Sequence, residues 1–129
     1  MKTIPENEIS YKVRGCIFKV YNKLGPGLLE SIYESALMIE LEKTGLKTEA
    51  QVPFNVVYDD KNIGIRYQLD LLVEDMVIIE IKSVENLLPV HHKQLLTYLK
   101  TSSKRLGLLV NFNTVELDKN IVRIVNGLP

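Results

Sequence analysis

The sequence predicts an α/β fold on a mixed sheet, in the order α-α-β-β-β-α-β with a short closing strand. Two stretches of helical period come first. Strand-like runs joined by short links follow. A helix then separates these from a further apolar run. Consecutive strands with short links form an antiparallel meander, whereas a helix between strands allows a parallel crossover. Both senses of pairing are therefore expected in one sheet.

From Asn7 to Leu24, apolar residues fall at Ile9, Val13, Ile17, Val20 and Leu24, which is helical spacing. Gly25-Pro26-Gly27 breaks the chain. A second helix is expected from about Leu28 to Thr44, with Leu29, Ile32, Tyr33, Ala36, Leu37 and Leu41 as its buried stripe. Gly45 fits the position just past its end. Glu30 lies in its first turn, where an acid suits the helix dipole, so a capping role stands level with a functional one.

Residues 47–58 alternate through Val52, Phe54, Val56 and Tyr58 and read as a strand. Asp59-Asp60-Lys61-Asn62 is a turn by composition. Ile63 to Val73 is the next strand and Met76 to Ser83 the one after. Pro89 suits a helix start, and Leu95, Tyr98 and Leu99 mark the inward face from Val90 to Ser102, with Leu96 near its edge. Leu106 to Phe112 reads as a buried strand, Asn113 to Lys119 as a loop, and Ile121 to Val125 as a last strand.

A chain of 129 residues is expected to form one domain with a real core. Its net charge of zero gives no global pull toward nucleic acid or membrane, so any polyanion must be held by a local patch. Lys100, Lys104, Arg105 and Arg66 are the candidates, although solvated charge is the commoner role for any one of them. A single cysteine, Cys16, excludes an intrachain disulfide and a cysteine-rich zinc site, and its apolar surroundings suggest a buried thiol. Residues 1–8 are polar and no apolar run reaches membrane-spanning length. A cytoplasmic protein without a membrane partner is the expectation.

The chemistry is concentrated between Tyr67 and Ser83. Met76 to Ile81 is apolar on both parities, as in a strand covered on both faces. Yet Glu80 and Lys82, two apart, point to one face. Burying both charges costs several kcal/mol per ion unless something compensates. Either they pair with each other, or that end of the strand opens into a site. Asp70 on the preceding strand favours the site. Two acids offer hard oxygen ligands to Mg²⁺ or Mn²⁺, and a lysine beside them can orient water or stabilise charge on a phosphate.

Parity sets a condition on this reading. Directly opposed residues share a face. A two-residue turn at Glu74-Asp75 would pair Asp70 with Ile79 and put Asp70 and Glu80 on opposite faces. A three-residue loop, Glu74-Asp75-Met76, would pair Asp70 with Glu80. A site therefore needs the odd loop, a bulge, or a bend that re-aims Asp70. Gln94 and Tyr98, four apart, lie one above the other on their helix. The adjacent His91 and His92 do not share a helix face, so a joint metal site is not expected. Solvated roles, or a phosphate contact for one of them, suit them better.

Gly27-Leu28-Leu29-Glu30-Ser31-Ile32-Tyr33 resembles G-x-x-E-x-x-Y, the signature of the GxxExxY family, which is placed within the PD-(D/E)XK nuclease superfamily. The resemblance runs from about Tyr11 to Gly127. It takes in Asp70, the run Ile79-Glu80-Ile81-Lys82-Ser83, Gln94 to Leu99, and Gly107 to Phe112. It implies a restriction-endonuclease-like core, α-β-β-β-α-β, with an extra N-terminal helix. It further implies a divalent metal, Mg²⁺ or Mn²⁺, on Asp70, Glu80 and Glu30 with the carbonyl of Ile81. Lys82 takes the catalytic lysine position. Gln94 and Tyr98 match the Q-x-x-x-Y motif of RecB-like members, and Tyr33 joins them as a supporting residue. The superfamily's proline is replaced by Leu69. The implied activity is hydrolysis of phosphodiester bonds, with DNA the expected substrate. The alternative is an inert nucleic-acid-binding or regulatory module that keeps the fold. A core this small admits a homodimer.

Overall fold

The computed structural model describes residues 4–129, apart from the side chain of Ile65. The first three residues of the polar N-terminal stretch lie outside the described residues. The elements are α1 (Pro5–Leu24), α2 (Glu30–Lys43), β1 (Thr48–Tyr58), β2 (Lys61–Val73), β3 (Val77–Lys82), α3 (Pro89–Ser102), β4 (Leu106–Asn111), a short 3₁₀ turn (Leu117–Asn120) and β5 (Ile121–Val125). The sheet order is β1-β2-β3-β4-β5, with β3 and β4 parallel and every other pair antiparallel. The mixed sheet is thus as expected, with the β3–α3–β4 crossover supplying its parallel pair. None of the described helices is long and apolar enough to cross a membrane.

Helices cover both faces. On one, Ile9, Val13, Cys16, Ile17 and Val20 of α1 and Tyr33, Leu37 and Leu41 of α2 pack on Leu71, Val73, Val77, Ile79 and Ile81. On the other, Leu95, Tyr98 and Leu99 of α3 cover Leu69, Leu72, Ile78 and Leu109. A strand sandwiched this way has no solvent face, which is why β3 is apolar on both parities. Cys16 is buried. A bidentate pair from Arg105 Nε and Nη2 to the two Glu6 carboxylate oxygens, at 2.7 and 2.8 Å, ties the start of α1 to the start of β4.

The expected buried stripes need correction at their ends. Leu24 is 39% exposed, because it closes α1 and its neighbour Gly25 leaves the helix. Leu29 is 71% exposed and Ile32 43%. Leu29 is not helical: it precedes α2 in an extended conformation, so helical spacing does not apply to it. Ile32 sits about 100° round from Tyr33, off the Tyr33–Leu37–Leu41 line that α2 buries. The β1–β2 turn is also tighter than expected. Asp59 and Asp60 both take positive φ, 52° and 60°, and Tyr58 pairs with Lys61, which is a two-residue hairpin.

The β2–β3 link places the candidate site. Val73 pairs with Val77, leaving the three-residue loop Glu74-Asp75-Met76. This is the odd loop that the site required. The register Leu71↔Ile79, run on, sets Asp70 opposite Glu80 and Leu69 opposite Ile81. Regular pairing stops there. Leu71 belongs to the α1/α2 core but Leu69 to the α3 core, so β2 turns over at Asp70. Opposite it on β1, Gln51 has φ +51° within the strand, and Val52 joins Leu69 on the α3 side. Both strands change face at the same level.

Candidate functional site

At the turnover, side chains replace main-chain partners. Ile81 N–H donates to Asp70 Oδ2 at 2.8 Å, in the place that the Leu69 carbonyl would hold in a continued ladder. Asp70 N–H donates to Glu80 Oε1 at 3.4 Å. In an extended strand one residue's N–H and C=O point to the same side, so the Ile81 carbonyl also faces the Asp70 side.

Glu80 is buried to better than nine-tenths, and among the described residues that long contact from Asp70 N–H is the one main-chain hydrogen bond its carboxyl accepts. No cation lies within 4 Å of it among the described residues, so the Glu80–Lys82 ion pair that the alternative reading required is not formed. Burial and the Asp70 carboxylate push its acid up to about 9, against a weaker opposing pull from Lys82. Two carboxyl groups thus meet with no ion-pair partner for either among the described residues.

Glu30 is the first residue of α2, and its Oε1 accepts from Ser83 N–H, just past β3, at 3.2 Å. The Ser83 hydroxyl donates to the Leu28 carbonyl at 2.6 Å, fastening the same two segments again. The spacing of the Gly27–Tyr33 stretch has a physical basis. Gly27 takes φ +97°, which a side chain disfavours, and lets the chain enter α2 at Glu30. One turn on, the Tyr33 hydroxyl reaches back, donating to the Gly25 carbonyl at 2.6 Å and accepting from Leu28 N–H at 3.1 Å. Its ring stacks on Phe112 at 4.3 Å. Tyr33 therefore fixes the loop that aims Glu30.

Glu30, Ser31, Glu34, Gln51, Asp70 and Ile81 line a cavity of about 210 Å³. A shallower hollow of about 400 Å³, lined by Leu28, Leu29, Glu30, Ser31 and Ser83, adjoins it. Lys82 is half-buried at the end of β3. Tyr98 approaches from the α3 face; burial, then the charges of Glu80, Tyr67 and Asp70, push its phenol upward. Gln94 is exposed and its side chain hydrogen-bonds to none of the described residues, so the structure does not gather it with the acids.

A sequence model described as the PD-(D/E)XK nuclease superfamily matches residues 7–124, nearly the whole chain. The chain belongs to the PD-(D/E)XK nuclease superfamily. No curated protein matches it at a significant level of similarity. The matched span includes Asp70, Glu80 and Lys82.

The donor set suits a hard divalent cation. It offers carboxylates from Asp70, Glu80 and Glu30 and a main-chain carbonyl from Ile81, with no sulfur or imidazole. The observation that tests the fit is Glu80, a nine-tenths-buried acid beside a second acid, with no cation within 4 Å of it among the described residues. Among the described residues, no three acid, histidine or cysteine side chains converge closely enough to hold an ion as they stand. Asp70 and Glu80 meet directly; Glu30 lines the cavity with Asp70, whereas Glu80 is not among its lining residues.

The basic candidates do not converge on this site. Lys104 pairs with Asp75 at 3.1 Å and Arg105 is taken by Glu6. Because β3 and β4 are parallel, both residues flank the start of β4, about 16 Å of strand from Lys82. Lys100 and Arg66 are exposed. His91 Nδ1 accepts from Leu88 N–H at 3.0 Å, which is a helix-start role. Three residues near the site were not expected. Glu34 could have been found four residues after Glu30 on one helix face. Gln51 gives no signal in the sequence. Asn111 does, as a polar residue inside an apolar run. It is fully buried, its Oδ1 accepting from Val84 N–H at 3.0 Å and its Nδ2 donating to the Val84 carbonyl at 2.9 Å, which pins the segment after Lys82.

Proposed function

We infer that the protein is a divalent-metal-dependent nuclease that hydrolyses phosphodiester bonds, with DNA as its substrate. The observation that carries this is the meeting of Asp70 with a buried Glu80 that has no ion-pair partner among the described residues, at the end of a central strand. Asp70, Glu80, Glu30 and the Ile81 carbonyl would hold Mg²⁺ or Mn²⁺. The bound ion lowers the pKa of a water ligand and polarises the phosphoryl oxygen.

The protein's own groups do the rest. The Ile81 N–H holds the Asp70 carboxylate in place. The Lys82 ammonium, not claimed by any described carboxylate, orients the attacking water and meets charge developing on the phosphate. The Tyr98 hydroxyl, kept protonated, can donate to a phosphate oxygen. Gln94, one turn earlier and exposed, can reach the substrate backbone. The finer placement in the GxxExxY family and among RecB-like members rests on Gly27, Glu30 and Tyr33 and on Gln94 and Tyr98. One domain over residues 1–129, a cytoplasmic location and a homodimer complete the reading.

A second reading, an inert nucleic-acid-binding module, draws on the spread of the acids and on the engagement of Lys104 and Arg105 elsewhere. Calorimetric titration with Mn²⁺, paired with cleavage of labelled DNA, separates the two. Wild type should bind Mn²⁺ and cut, and Asp70→Asn and Glu80→Gln should lose both. Metal binding without cleavage of DNA or RNA would favour the module. No metal binding would end the nuclease reading.

A further inference from the structure

Glu34 is the half-buried acid of the cavity that the superfamily pattern leaves without a role. It lies four residues after Glu30, on the same face of α2, and lines the cavity with Asp70. No cation pairs with it among the described residues. Among the described residues its one side-chain partner is Gln51, whose Nε2 donates to Glu34 Oε1 at 2.6 Å. Gln51 holds that position through a φ of +51° inside β1, a conformation that a non-glycine residue seldom takes in a strand. The bond fixes one carboxylate oxygen and leaves the other for the cavity. Local folding does not call for this: an acid facing Asp70 adds repulsion to the metal-free protein.

We propose that Glu34, oriented by Gln51, is a positioning residue that holds a water on the cation bound by Asp70, Glu80 and Glu30. The inference rests on the metal-site reading above. It follows from coordination chemistry: Mg²⁺ and Mn²⁺ bound by few protein oxygens keep several waters, and outer carboxylates orient those waters. A cavity of about 210 Å³ between Glu34 and Asp70 has room for them. Glu34 needs no direct bond to the ion, so it can act although the acids do not converge more tightly.

The test is Mn²⁺ binding by calorimetry, with water-proton relaxation of the bound Mn²⁺ as a second readout. Wild type, Glu34→Gln, Gln51→Leu and Asp70→Asn are compared. Glu34→Gln keeps the side-chain shape and an oxygen for Gln51, and metal-free melting curves establish that each variant is folded. Losing an outer partner typically weakens metal affinity 10- to 100-fold. Glu34→Gln and Gln51→Leu should each weaken Mn²⁺ binding by about tenfold or more and change the relaxation of the bound ion. Wild-type affinity and relaxation in both variants, with binding lost in Asp70→Asn, would overturn the role of Glu34 alone. Wild-type protein that does not bind Mn²⁺, or Asp70→Asn that binds it equally well, would overturn the metal site and this inference together.

Discussion

The carboxylate of Asp70 accepts the main-chain hydrogen of Ile81 at 2.8 Å and so takes the place of a carbonyl in the sheet. One side chain thereby closes a gap in the β2–β3 ladder while facing the cavity. The two duties can be separated. Asp70→Asn keeps an oxygen acceptor for Ile81 and removes only the charge, whereas Asp70→Ala leaves the Ile81 N–H without its partner. In metal-free buffer Asp70→Ala should be less stable than Asp70→Asn by about 1–3 kcal/mol, the cost of an orphaned part-buried donor. Urea unfolding measures this difference. Equal midpoints would mean that the hydrogen bond adds nothing to the ladder.

Glu80 makes stability depend on pH. Its acid is raised to about 9 in the fold from an ordinary 4.5, so between those values the folded state holds a proton that the unfolded state has released. Metal-free protein should therefore lose stability as pH rises from about 5 to about 9, with a ceiling of about 1.4 kcal/mol per pH unit. Glu80→Gln has no proton to lose. It should lack that slope and be the more stable protein at pH 8. Millimolar Mn²⁺ should reverse the trend for wild type, because the ion binds the deprotonated acid. Urea titrations from pH 5 to 9 with a chelator would refute this if wild type and Glu80→Gln gave parallel curves.

Periodicity and parity made most of the frame legible. The helical stripe Ile9–Val13–Ile17–Val20 and the two-sided apolar character of β3 follow from local spacing, and both hold. Parity could say what loop would bring Asp70 and Glu80 together, and that loop is present. What stayed hidden depends on register or on tertiary bends. The positive φ of Gln51 belongs to a turnover that β1 shares with β2, and no residue-level signal marks it. Lys104 and Arg105 were visible as cations, but only the parallel register of β4 shows that they lie at the far end of the sheet. Leu29 fits a helical stripe by spacing alone, but it precedes the helix in an extended conformation.

Tyr33 joins packing to the site. Its ring stacks on Phe112, while its hydroxyl bonds to Gly25 and Leu28 in the loop before Glu30. Tyr33→Phe keeps the stack and removes both hydrogen bonds. It should cost about 1–3 kcal/mol, since a donor and an acceptor lose their partner in a part-buried place. It should also weaken Mn²⁺ binding, because the loop that aims Glu30 loses its anchor. A loss of stability without any change in Mn²⁺ affinity would confine Tyr33 to packing.

Lys82 should show the opposite profile. It is half-buried at the end of β3 and pairs with no described carboxylate, so Lys82→Ala removes no ion pair. Its field does lower the Glu80 acid slightly, so its removal leaves Glu80 somewhat more reluctant to ionise. Folding stability should stay within about 1 kcal/mol of wild type, as for substitutions that break no named interaction. Mn²⁺ should still bind. Cleavage should fall by about 10²- to 10³-fold, the usual loss when one preorganised charge-stabilising donor is removed. Single-turnover cleavage under saturating Mn²⁺ isolates that step from binding. Wild-type rates in Lys82→Ala would take the lysine out of the chemistry and leave the acids to act without it.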